Sequence, residues 1–93
     1  MSTDQRTERV LANFFTADGR LHTIPSKRSK RLVVLDHLAQ LFEPGRVYTE
    51  AEVNEALAQA HPDFAALRRY LVDDLFLSRD DGRYWRTGGT VDV

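Results

Sequence analysis

The stretch Tyr48 to Arg86, "YTEAEVNEALAQAHPDFAALRRYLVDDLFLSRDDGRYWR", decides how this chain folds. It opens on a capping box. Thr49 can accept from the backbone N–H three residues on, Glu52 can reach back to Thr49, and Tyr48 can staple onto Val53. A helix therefore starts at Glu50, with Val53, Ala56, Leu57 and Ala60 as its apolar face, and is expected to run to residue 61. Pro62-Asp63 breaks it and caps a second helix over 64–76, whose inward stripe is Phe64, Leu67, Leu71 and Leu75. At 100° per residue Arg69 points away from that stripe, flanked by Ala65, Ala66 and Asp73. Two strand-like pieces over 77–87 then meet at Asp81-Gly82, a good two-residue hairpin turn.

Upstream, Val10, Leu11, Phe14 and Phe15 give one face of a helix over 2–15, with Ser2, Thr3 or Asp4 to cap it. After the Asp18-Gly19 turn, "RLHTIP" alternates imperfectly and reads as a short edge strand over 21–24. A helix beginning at Ser26 carries Leu32, Val34, Leu35, Leu38, Leu41 and Phe42 and stops at Pro44-Gly45. Residues 88–93, "GGTVDV", read as a frayed tail. The expected order is helix, short strand, three helices, hairpin. Two helices joined by a short break and followed at once by a hairpin have the layout of a winged helix-turn-helix. The expected fold is thus α+β: a mainly helical winged helix-turn-helix domain with a short N-terminal strand and a C-terminal β-hairpin wing. It forms one domain over 1–93, with the winged-helix core at 26–87. Helix 50–61 is the positioner, helix 64–76 the recognition helix, and 77–87 the wing.

Four blocks in order, "IPSKRSKR", "YTEAEVN", "LRRYLVD" and the terminal "GRYWR", make residues 14–86 resemble the bacterial domain-of-unknown-function family numbered 2087. Members of that family occur alone and joined to helix-turn-helix regulators, so the resemblance implies a role in transcription. It also implies glycine at the position of Leu75. A left-handed helix end there would be strained with leucine.

Composition bounds the function. With 42% hydrophobic and 29% charged residues in a chain of 93, this is an ordinary water-soluble composition with one modest core. No apolar run is long enough for a membrane span, and no leader pattern opens the chain, so a cytoplasmic location is expected. The absence of cysteine excludes disulfides, thiolate zinc sites and a cysteine nucleophile. His22, His37 and His61 lie in three different elements without metal-binding spacing, so neither a metal nor any other cofactor is expected. There is no glycine-rich elbow for a serine or aspartate nucleophile, and in a strand Asp80 and Asp81 would face opposite ways. The chain is not read as an enzyme, and no small-molecule substrate is evident.

The net charge is −1, yet five cations and no acid fall between Arg20 and Arg31, while Glu43 to Asp63 holds five acids against Arg46. Lys27, Arg28, Lys30 and Arg31 sit at a helix start, where the backbone dipole disfavours each exposed cation by roughly 0.3–1 kcal/mol. Either carboxylates elsewhere compensate, or an anion such as phosphate binds there. Arg69 can fork to a guanine edge or pair with Asp73 one turn on, and both readings stand. Arg68, at the core boundary, is read as a brace for the wing or for an acid of the positioning helix. In the wing, Arg79, Arg83 and Arg86 can reach phosphates, although Asp80 and Asp81 oppose them. Tyr84 and Trp85 are read as completing the core.

The leading expectation is a domain that binds double-stranded DNA and regulates transcription, through Lys27, Arg28, Lys30, Arg31, Arg69, Arg83 and Arg86. If all four clustered cations meet phosphate, log affinity against log salt should slope by about −3.6 from them alone. The alternative is a winged-helix interaction module that binds a protein partner or a second copy of itself without touching DNA. Its supporting feature is the acidic helix 50–61.

Overall fold

The computed structural model describes residues 5–90, in the order α1 (Gln5–Phe14), α2 (Arg28–Ala39), β1 (Val47–Thr49), α3 (Glu50–Ala58), α4 (Phe64–Asp73), β2 (Leu77–Asp80) and β3 (Arg83–Arg86). The caps expected at Ser2, Thr3 or Asp4 lie outside the described residues. Among the described residues, no helix is long and apolar enough to cross a membrane.

The capping box forms in both directions. Glu52 N–H donates to Thr49 Oγ1 at 3.1 Å, and Thr49 N–H donates to Glu52 Oε1 at 2.9 Å. This bond from the Thr49 backbone is the main reason that the Glu52 carboxyl lies below its ordinary value. Asp63 caps α4 by accepting from Ala66 N–H at 3.3 Å, and His61 Nδ1 accepts from Asp63 N–H at 3.0 Å, so the histidine belongs to the helix break. Asp81 and Gly82 both take positive φ, 51° and 74°, the primed turn that suits the twist of a tight hairpin.

The sheet corrects the expected N-terminal strand. Near residues 21–24 only a single bridge, Phe15 to Leu21, forms among the described residues, because Leu21 N–H donates instead to Ala60 O just past the end of α3 and Pro25 has no N–H to give. The third strand is Val47–Thr49, the extended lead-in to the capping box. It pairs antiparallel with β3, opposing Tyr48 to Tyr84, and the sheet order is β1-β3-β2. Four helices with a three-stranded antiparallel sheet make the domain α+β, in the winged-helix layout of a helix pair followed by a hairpin.

The core is continuous. Val34, Leu35, Leu38 and Phe42 meet Tyr48, Val53, Leu57, Leu67, Leu71, Leu77 and Tyr84, all buried. Tyr48 and Val53, the two staple positions, are both in it, and Tyr48 stands edge-on to Phe42 at 5.1 Å with its hydroxyl accepting from Glu43 N–H at 2.7 Å. Leu41 falls just past the end of α2 and is half exposed rather than on its inward face. Trp85 does not join Tyr84 inside. Successive strand residues alternate, so Trp85 lies half-buried on the outer face of the sheet, opposite Val47.

Both helices of the pair end earlier than their apolar spacing suggests. In α4 the chain closes with Phe76 N–H on Leu71 O at 2.8 Å and Leu75 N–H on Val72 O at 3.1 Å, with Leu75 at φ 65°. These are the two bonds of a Schellman cap, with leucine at the left-handed position. The described part of the tail, residues 88–90, is held rather than frayed. Thr90 donates its N–H and hydroxyl to the Asp36 carboxylate at 2.6 and 2.8 Å, and its carbonyl accepts from Gln40 and Arg86.

Candidate nucleic-acid interface

The outward side of α4 lies between two groups of the expected site residues. Leu67 and Leu71 are buried, which turns Tyr70 and Asp74 to one flank of the helix, Arg68 and Val72 to the other, and Arg69 outward between them. Each flank meets a different element.

On the first flank lies the amino end of α2. Arg28 Nη2 pairs with Asp74 Oδ1 at 2.9 Å, and the guanidinium of Arg31 stacks on the Tyr70 ring at 4.5 Å. Two unfavourable placements thus offset one another, a cation at a helix start and an acid at a helix end. Arg28 keeps its side chain 67% exposed against 11% for Asp74. Arg31 is drawn inward, donating to the carbonyls of Ser26 at 3.1 Å and Pro25 at 3.4 Å. Lys27 occupies the N-cap position without capping, and it and Lys30 are exposed with no acid in ion-pairing distance among the described residues. The four clustered cations therefore divide: Arg31 is structural, Arg28 is paired but accessible, and Lys27 and Lys30 are free.

On the second flank is the wing. Between α4 and the sheet runs a cleft of about 510 Å³, lined by Arg68, Arg69 and Arg79 with Asp63, Asp73 and Tyr84. The alanines at 65 and 66 keep its α4 wall low. Arg79 reaches it because it shares a strand face with the buried Leu77, and its guanidinium lies 5.9 Å from the Tyr84 ring. Arg68 Nη1 donates to Asn54 Oδ1 and lies 4.0 Å from Glu50, while Tyr84 Oη donates to Glu50 Oε1 at 2.8 Å. Burial first, then that bond, raises the Tyr84 phenol above its usual value, so it stays a neutral donor. Arg69 has no acid in ion-pairing distance among the described residues, so the i, i+4 pair with Asp73 does not form.

Two of the expected wing contacts point elsewhere. Arg83 stands on the outer sheet face with Trp85, away from the cleft. Arg86 is spent on carbonyls, donating to Gly88 at 2.9 Å, Phe42 at 3.2 Å and Thr90 at 2.6 Å. The residue that takes their place in the cleft is Arg79, and its signal was the two-residue period from Leu77. Among the described residues no three His, Asp or Glu side chains converge as metal ligands do.

An α4 face framed by a basic helix start and a hairpin is consistent with a winged-helix-like α+β domain. Within it, the family model described as "Uncharacterized protein conserved in bacteria (DUF2087)" matches residues 20–86. The chain belongs to that family. No curated protein and no solved structure matches it.

Proposed function

We propose that this domain binds duplex DNA in the service of transcriptional regulation, laying α4 along the groove with Arg69 toward the bases. The observation that carries this reading is the framing of Arg69: an outward arginine with no acid in ion-pairing distance among the described residues, between the amino end of α2 and the wing cleft holding Arg79. Lys27, Lys30 and Arg79 are the cations left free for phosphate, and phosphate contacts position such a helix while base contacts specify. Three of them give a slope of log affinity against log salt of at least about −2.7. Anisotropy of a labelled mixed-sequence duplex, titrated with the protein at low and moderate salt, tests this. The double variant Lys27→Ala, Lys30→Ala should bind more weakly and flatten the slope by about 1.8 without disturbing the fold, since neither side chain makes a structural bond. A wild type that does not bind at low salt overturns the proposal.

A second reading, an interaction module that never meets DNA, is favoured by the outer sheet face. There Val47, 54% exposed, stands opposite the half-buried Trp85. Concentration-dependent self-association in the absence of binding to any duplex would support it.

A further inference from the structure

We infer that Arg68 is a phosphate-contacting residue, held ready by Asn54 and Glu50; the inference rests on the duplex reading above and adds a residue that reading does not use. Arg68 lies on the cleft flank of α4, with its side chain 23% exposed, and lines the cleft beside Arg69 and Arg79. Among the described residues, only one of its three nitrogens is engaged. Nη1 donates to Asn54 and sits 4.0 Å from Glu50, while Nη2 and Nε have no partner among the described residues and are not sealed from solvent. The structural arginines differ in what they leave open: Arg31 also bonds through Nη1 alone, but its Nε is sealed from solvent. Arg86 uses all three nitrogens on carbonyls.

The anchor is itself fixed. Glu50 is tied by the Tyr84 hydroxyl at 2.8 Å, so the first turn of α3, the flank of α4 and the wing strand β3 meet at one carboxylate. A long side chain that is ordered before it binds loses less rotamer freedom on contact, and a guanidinium keeps its fork geometry while one nitrogen is occupied. The two remaining N–H-bearing nitrogens leave a fork on a side chain that lines the cleft, and a phosphate oxygen pair would complete it. The acids of the cleft are partly committed elsewhere, since Asp63 caps α4 through Ala66 N–H.

The test is the salt dependence of duplex binding by the full chain and three variants, with folding checked by circular dichroism. Arg68→Met should weaken binding about tenfold or more and flatten the slope by about 0.9. Arg68→Lys, which keeps one charge but not the fork, should lower affinity and retain the slope. Asn54→Ala, which leaves the arginine in place but unanchors it, should weaken binding a few-fold at unchanged slope; this marks Asn54 as a positioning residue and guards against an Arg68→Met chain that does not fold. If the wild type binds and Arg68→Met, folded, keeps the wild-type slope and affinity, the inference is overturned and the duplex reading survives. Should Arg68→Met fail to fold, wild-type affinity in both Arg68→Lys and Asn54→Ala overturns it equally. No duplex binding by the wild type overturns both.

Discussion

Leu75 is held at φ 65° and is 73% exposed, a conformation and an environment that both disfavour leucine. The Schellman bonds around it need a left-handed residue, and only glycine takes that geometry without Cβ clashing with the following carbonyl. Leu75→Gly should therefore stabilise the fold by roughly 0.5–1 kcal/mol, after the loss of chain entropy that glycine brings is set against the relief of strain. Urea denaturation read at constant m-value measures it, and a drop in the midpoint would show that the exposed side chain makes a contact that the strain conceals. The neighbouring glycine behaves oppositely. A Cβ on Gly88 would overlap the Leu75 carbonyl oxygen, because the chain after β3 crosses directly over the end of α4. The strained leucine was legible from the sequence through a family resemblance, whereas the demand at Gly88 depends on a crossing that no local pattern announces.

At the scale of elements, what was readable was what is local. The capping box at Thr49 and Glu52, the Asp63 cap and the Asp81-Gly82 turn each involve partners within three residues, and each forms as its residue types require. β1 was missed because three residues carry no period, and Val47–Thr49 is a strand only because β3 comes back beside it from 36 residues away. The clasp of Thr90 on Asp36 was missed for the same reason, its partners being 54 positions apart. The local devices also set a pH response. The Glu52 carboxyl is lowered chiefly by the Thr49 N–H, and Asp18 is lowered chiefly by the Thr16 hydroxyl. A depressed folded-state value means that the stabilisation is complete above the ordinary carboxylate range and fades as the pH falls through the folded-state value. Glu52→Gln keeps an oxygen for the Thr49 N–H but cannot titrate. Thermal midpoints measured between about pH 6 and pH 3 should therefore fall less steeply in Glu52→Gln than in the wild type. Parallel curves for the two chains would mean that the box holds equally well with the acid protonated.

Over the whole molecule, a net charge of −1 conceals local pairing, in which Asp74, Glu52 and Glu50 lie within 4.0 Å of Arg28, Arg46 and Arg68. The four cations at the start of α2 meet three fates, and only long-range packing distinguishes them, since Arg28 meets Asp74 across 46 positions and Arg31 meets Tyr70 across 39. The elements that bear the candidate interface were readable; which cations remain available on it was not. Under the proposed duplex binding, the Arg28–Asp74 pair would set how basic that face is. Arg28 is exposed and Asp74 is not, so an approaching phosphate competes with the carboxylate for the same guanidinium. Asp74→Asn retains an oxygen that can accept from Arg28 but removes the competing charge. Because the native pair is solvent-accessible on the Arg28 side, its loss should lower stability by no more than about 1 kcal/mol. Duplex affinity should rise, and the salt slope should steepen by up to about 0.9 as Arg28 joins the phosphate contacts. The Asp74→Asn, Arg28→Ala double variant should lose that gain. If instead Asp74→Asn binds as the wild type does and the double variant is no weaker, Arg28 serves only to tie α2 to α4, and the phosphate-facing set ends with Lys27, Lys30 and the arginines of the cleft.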